Sequence, residues 1–281
     1  MEYAMATRAT REPGRSHRAL GPAEIETYRR DGLVVPGYRL PPDQLARLQT
    51  ALDELIAANP HVRPEQLISA HLAKGGGEQV RGHEAFLDFA HDPAILDMVE
   101  QLIGPDLVLW GCQVFCKRAG DGLEIPWHQD GRYWPIRPLA TCTVWVALDW
   151  SVPENGCMRF IPGSHSGKVY AHRRDSRPDL ALDLVLEEGE VDRGAARDVV
   201  LEPGQMSLHD VYLVHGSAPN RSPRRRAGLA LRYMPATSLF DRGIGGTSTT
   251  SRGLVVDFSK RPLWLVRGED RAGNDFAIGH G

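Results

Sequence analysis

The apolar residues of this chain repeat with one period before Gly104-Pro105 and with another after it, and that switch leaves few folds open. Upstream, Leu45, Leu48, Leu52, Leu55 and Ile56 fall on one face of a helix predicted over 43–59. Asp92-Pro93 reads as an N-cap with proline at the first helical position. Ile95, Leu96, Val99, Leu102 and Ile103 form the apolar stripe behind it. A shorter helix opens at Pro22, and 32–35 resembles a short strand. Downstream, 106–115, 140–150, 206–214 and 227–234 are rich in Val, Leu and aromatics and read as strands. Gly-, Pro- and Asn-containing turns separate them, at 119–122, 153–156, 162–164 and 202–204. Strands do not alternate with long helices, which argues against a doubly wound parallel sheet. The expectation is a mainly β chain with a helical N-terminal part and a sandwich or barrel core.

The organisation expected is a flexible tail over 1–20 and a single domain over 21–281. Within it, 21–104 supplies helical support, 105–236 the strand-rich core and 237–281 a C-terminal loop extension. Ser166 to Ala196, rich in Arg, Asp and Glu, and the Gly/Ser/Thr-rich Thr237 to Thr250 read as surface loops or as lids over a pocket. A net charge of -3 and a pI near 6.4 give no electrostatic footprint for nucleic acid. No run of apolar residues is long enough to span a membrane. The first twenty residues lack the apolar stretch of a secretory signal, so a cytoplasmic location is expected. Cys112, Cys116, Cys142 and Cys157 contain no C-x2-C pair and are expected to be buried free thiols.

The chemistry concentrates at Trp127-His128-Gln129-Asp130 and Val214-His215-Gly216-Ser217. In an extended segment His128 and Asp130 point the same way. His215, from a distant strand, would complete a set of two imidazoles and one carboxylate. Non-haem Fe(II) oxygenases use that set and keep coordination positions open. Zinc also accepts it, although no H-E-x-x-H is present. His209 shares the parity of His215, and His165 is a third histidine nearby; a supporting role suits both better than ligation. An oxygenase with an acidic cosubstrate also needs an anion site, for which Arg is suited by its planar fork. Arg224, Arg225, Arg226 and Arg232 lie beyond His215. Period two sets Arg226, Gly228, Ala230 and Arg232 on one side of the next strand.

These residues carry a family pattern. The chain resembles the phytanoyl-CoA dioxygenase-like Fe(II)/2-oxoglutarate oxygenases. The resemblance rests on Phe115-Cys116-Lys117, Pro126-Trp127-His128-Gln129-Asp130 and Thr143 to Asp149. It continues through Pro153-Glu154-Asn155-Gly156-Cys157-Met158, Pro162-Gly163-Ser164-His165 and His215 to Ser222, with Arg226 beyond. It covers about 105–235 well, the N-terminal helices loosely and the C-terminal tail hardly at all. It implies a double-stranded β-helix (a jelly-roll, cupin-like) core flanked by helices. It also implies His128, Asp130 and His215 as iron ligands and Arg226 as the clamp on the distal carboxylate of 2-oxoglutarate. Trp145 and Ser217 match positions lining the cosubstrate site, and Gln113 and Lys74 align with others across variable segments. The implied activity is hydroxylation of a small molecule, with 2-oxoglutarate and O2 converted to succinate and CO2. Asp130 is intact, which disfavours the halogenase variant.

The substrate is less legible. Trp127, Tyr133 and Trp134 flank the metal motif, and an aromatic wall suits a flat or cationic substrate such as a quaternary ammonium compound. Arg132, Arg137, Lys117 and His172 would instead suit an anion. The FCK, WHQD, YWP and PENG segments are similar to those of relatives resembling aminophosphonate hydroxylases. A natural-product tailoring hydroxylase and a non-catalytic jelly-roll binding protein are the alternatives. No obligate protein partner is evident.

Overall fold

The computed structural model describes residues 19–73, 80–244, 247–249 and 255–280. Most of the tail expected over 1–20 lies outside them, as does part of the Thr237 to Thr250 stretch. Four helices open the fold: α1 (Pro22–Asp31), α2 (Pro42–Ala58), α3 (Glu84–Ala90) and α4 (Pro93–Ile103). Proline stands at the start of α1, α2 and α4, where its missing N–H costs nothing. The Asp92 carboxylate accepts from Ala94 N at 2.8 Å and caps α4. Gly104, with φ 102°, ends that helix as expected.

Among the described residues, eleven strands build the two larger sheets. In chain order they are β1 (Leu33–Val34), β2 (Leu67–Ile68), β3 (Leu107–Lys117), β4 (Ile125–His128), β5 (Cys142–Ala147) and β6 (Met158–Phe160). They continue as β7 (Arg197–Val199), β8 (Met206–Asp210), β9 (His215–Ser217), β10 (Arg226–Pro235) and β11 (Trp264–Arg267). The larger sheet runs β1-β8-β5-β10-β3-β11, with β2 also on β3. The smaller runs β7-β6-β9-β4. All these pairings are antiparallel. Two sheets of this kind, with helices outside, form the jelly-roll expected from the sequence.

Side-chain alternation sorts the larger sheet into two faces. Leu229, Leu231, Val144, Val146, Leu208 and Val114 join Leu48, Leu52, Leu55 and Ile95 of the helices in one buried cluster. Truncating a fully buried leucine such as Leu52 typically costs about 2–5 kcal/mol, so this helix-covered face is a large part of what holds the fold. The opposite face carries Trp145 and Ala230, which pack with Met158 and Phe160 of the smaller sheet. The cavity lies between the sheets on this side.

One strand differs from its reading. The strand expected over 206–214 stops at Asp210, whose Oδ1 accepts from Tyr212 N at 2.8 Å and turns the chain. His215 therefore opens a strand of the smaller sheet rather than closing one of the larger. The four cysteines are buried and free, as expected. Burial pushes the Cys112 and Cys116 thiols up to about 12, so they are inert packing groups.

Candidate functional site

β4 ends where β9 begins, and there His128 and His215 are cross-strand partners. Their ring centroids are 4.3 Å apart. Gln129 stays extended, so Asp130 returns to the side of His128, and its Oδ1 lies 3.5 Å from His128 Nε2. One donor atom each from His128, Asp130 and His215 falls within 4.8 Å of the other two.

The tautomers are set by the backbone. His128 donates Nδ1–H to Pro126 O at 2.8 Å, and His215 donates Nδ1–H to Leu213 O at 3.0 Å. Both Nε2 atoms therefore keep lone pairs for a ligand. Burial and the neighbouring His128 hold His215 down to about 3, which keeps it neutral. Burial alone would raise Asp130. The imidazoles of His128 and His209, then His215 and Arg232, outweigh it and hold the carboxyl well below its usual range. Two imidazoles and one carboxylate, converging at the rim of a cavity, fit a divalent first-row metal with open positions.

Gln129 braces this motif from behind. Its Nε2 donates to Lys168 O at 2.8 Å and Tyr212 O at 2.6 Å, and its Oε1 accepts from Tyr170 N at 2.8 Å. His172 contributes to the same brace, accepting from Gln129 N at 3.2 Å through Nε2.

A cavity of about 440 Å³, part of it open to solvent, is lined by the three donors and by Trp145, Ser217 and Arg226. Arg226 is 2% exposed. It donates Nη2–H to Gly156 O at 2.8 Å and to Ser217 Oγ at 3.2 Å, and its Nε also reaches Gly156 O, at 3.1 Å. Its guanidinium lies 5.2 Å from the centre of the Trp145 ring. No carboxylate pairs with it among the described residues, and burial lowers it to about 10, still a cation at neutral pH. A buried cation without a counter-ion is costly unless a ligand supplies the anion. The other arginines of the run separate from it: Arg224 is exposed, and Arg225 pairs with Asp149 at 2.8 Å and Asp53 at 2.7 Å.

Several residues expected near the substrate stand elsewhere. Lys117 is buried with its Nζ on Ser217 O, at 3.2 Å, and on Ala218 O, so it props the segment bearing Ser217 and does not line the cavity. Trp127 alternates away from His128 and packs outside the smaller sheet beside Ile161, Leu186 and Val214. His172 braces the backbone, as above. Trp134 is buried edge-on against Trp110, ring centroids 4.3 Å apart, behind the cavity wall. Gln113 Oε1 meets Arg232, at 3.2 Å from Nη1, rather than the Arg226 end. Arg137 donates to Trp134 O and Ile136 O. Lys74 and the side chains of Arg132 and Tyr133 lie outside the described residues. His165 reaches Arg29 O, away from the site, whereas His209 lines it, 3.9 Å from Asp130 Oδ2. Thr143 and Met158 also line the cavity, and no spacing signal singled them out. Ser166 to Ala196 forms a hairpin, His172–Arg174 with Leu184–Leu186, and its Ala181 packs on Leu123 and Ile125 beside β4.

The sequence pattern of the phytanoyl-CoA dioxygenase (PhyH) family matches residues 28–228. A probable alpha-ketoglutarate-dependent hypophosphite dioxygenase of Stutzerimonas stutzeri is 33% identical over 153 residues, 50% of this chain and 50% of that protein. A Dictyostelium discoideum homolog of phytanoyl-CoA dioxygenase domain-containing protein 1 is 28% identical over 152 residues, 53% of this chain and 54% of that protein. The chain thus spans about half the length of these curated relatives. Among solved structures, the non-heme monooxygenase ThoJ superposes with TM-score 0.67 at 27% identity, covering 88% of this chain and 84% of that one.

Proposed function

Because the chain belongs to the phytanoyl-CoA dioxygenase family, we propose that it is an Fe(II)/2-oxoglutarate-dependent hydroxylase of a small anionic molecule. The observation that carries the class is the pairing of a convergent His128, Asp130 and His215 with a buried cation, Arg226, that has no partner anion. His128, Asp130 and His215 would hold Fe(II), which when bound supplies the oxidative chemistry of the family. Arg226 and Ser217 Oγ would bind the distal carboxylate of 2-oxoglutarate, and Trp145 would flank it. Phe115, Ile125 and Met158 give the remaining wall an apolar character.

An anionic substrate is favoured over a quaternary ammonium compound. The aromatic wall already holds a cation: Arg232 Cζ lies 5.2 Å from the Trp134 ring and 5.9 Å from those of Trp110 and Phe115. The Stutzerimonas stutzeri relative, a probable hypophosphite dioxygenase, favours the same chemistry, and a small phosphonate is the substrate class we favour. A panel of phosphonates, carboxylates, betaines and natural-product scaffolds, supplied with Fe(II), 2-oxoglutarate and O2, tests this. Succinate release and a product one oxygen heavier are expected with a phosphonate. Turnover of a betaine alone would reverse the choice of substrate, and binding without succinate would leave a ligand-binding protein.

Gly228 offers a test of the Trp145 role. A Cβ at position 228 would lie 1.9 Å from Trp145 Cζ2. Gly228→Ala must displace the indole, and overpacking of this kind costs about 1–3 kcal/mol. Urea unfolding is expected to show that loss, together with weaker 2-oxoglutarate binding. Unchanged binding with an intact fold would remove Trp145 from the cosubstrate site.

A further inference from the structure

The cavity holds a second arginine that the cosubstrate does not need. Arg232 lines the same pocket as Arg226, from the same strand and the same face, six residues farther along β10. It stands in a cross-strand row with Gly111, Thr143 and, through Thr143, His209. Extended backbone advances about 3.3 Å per residue, so the two arginines start roughly 20 Å apart and approach the metal donors from opposite ends.

Its hydrogen bonding is incomplete. Nη1 and Nη2 share one neutral acceptor, Gln113 Oε1, at 3.2 and 3.3 Å. Nε is sealed from solvent and has no partner. No carboxylate lies within ion-pair distance among the described residues. The nearest negative charge at the site is Asp130, and a metal ion would claim that charge. The protein has thus half-buried an arginine beside the metal donors, backed it with Trp110, Trp134 and Phe115, and left its donors mostly unspent. Thr143 Oγ1, opposite it on β5, is also buried without a partner. Neutral polar substrates would not match the unspent donors of that half-buried cation; an oxyanion would.

We infer that Arg232, with Thr143 beside it, is the receptor for the oxyanion group of the substrate. This rests on the reading of the site given above, and it assigns Arg226 to the cosubstrate and Arg232 to the substrate. Substrate is thereby held between the two arginines, with its anionic end away from the cosubstrate.

Calorimetric titration of methylphosphonate into protein loaded with Co(II) and 2-oxoglutarate tests the assignment without turnover. Wild type is expected to bind methylphosphonate. Arg232→Gln is expected to bind it at least about tenfold more weakly, as for loss of one charge-assisted contact. Its affinities for Co(II) and 2-oxoglutarate should stay within about twofold of wild type. Arg232→Lys keeps the charge without the fork and is expected to fall between the two. It decides the matter if thermal melts show that Arg232→Gln does not fold. Equal methylphosphonate binding by wild type and variant overturns the assignment. So does loss of Co(II) affinity with anion binding intact, which would make Arg232 a support for Asp130. So does a loaded wild type that binds none of methylphosphonate, phosphite and propionate. Failure of wild type to take up Co(II) and 2-oxoglutarate at all would instead overturn the oxygenase reading beneath it.

Discussion

Asp130→Ala is expected to abolish succinate release from 2-oxoglutarate, by at least about 100-fold, and to weaken metal binding by a similar factor. Asp130 is the only anionic donor among the three, so its loss leaves two imidazoles facing the positive charge of Arg232. The fold should survive. Among the described residues the closest polar contact of the carboxylate is the 3.5 Å approach to His128, and no backbone group bonds to it. Circular dichroism and Co(II) titration on the same sample separate loss of metal from loss of structure. Unchanged turnover in a folded Asp130→Ala protein would sink the metal assignment.

Arg226→Gln is expected to raise the 2-oxoglutarate concentration needed for half-maximal turnover by roughly 30-fold or more. Removing one member of a buried, hydrogen-bonded charge pair costs about 2–5 kcal/mol. The effect should fall on binding of the cosubstrate and leave Co(II) affinity near wild type, because His128 and His215 belong to the other sheet and Asp130 to the turn that follows it. Arg224→Gln, two residues away and exposed, is the matched control and should change neither. A variant Arg226→Gln with normal 2-oxoglutarate saturation would show that the clamp lies elsewhere.

Much of this site was readable from the chain because strands alternate strictly. Period two sets His128 beside Asp130 and Arg226 on the face of Arg232, and the structure has both pairs on the cavity. The same rule sends Trp127 outward, and it was the proximity of Trp127 to the motif that suggested a substrate wall there. Lys117 misled for a different reason. Its charge suggested a pocket, but its ammonium is spent on the Ser217 and Ala218 carbonyls. The switch of sheets after Asp210 left no pattern to read, since Val211, Leu213 and Val214 are as apolar as any strand and as buried. Thr143 and Met158 reach the cavity from segments whose composition is that of ordinary core, so only the folded arrangement reveals them.

The Gln129 amide ties the peptide between two metal donors to Lys168 and Tyr170 on one side and Tyr212 on the other. That strut divides the Ser166 to Ala196 excursion into two parts with different freedom to change during evolution. Its first residues share a hydrogen-bonded joint with the metal donors, so a deletion there would shift His128 against Asp130. Beyond Arg174, Leu180 pairs with Glu124 and Ala181 packs on Ile125 at the start of β4, so of that turn only the exposed tip, Ser176 to Pro178, can be recoded while the strand bearing His128 stays seated. A lineage could therefore retune what approaches the cavity mouth through that turn without reopening the problem of building the centre.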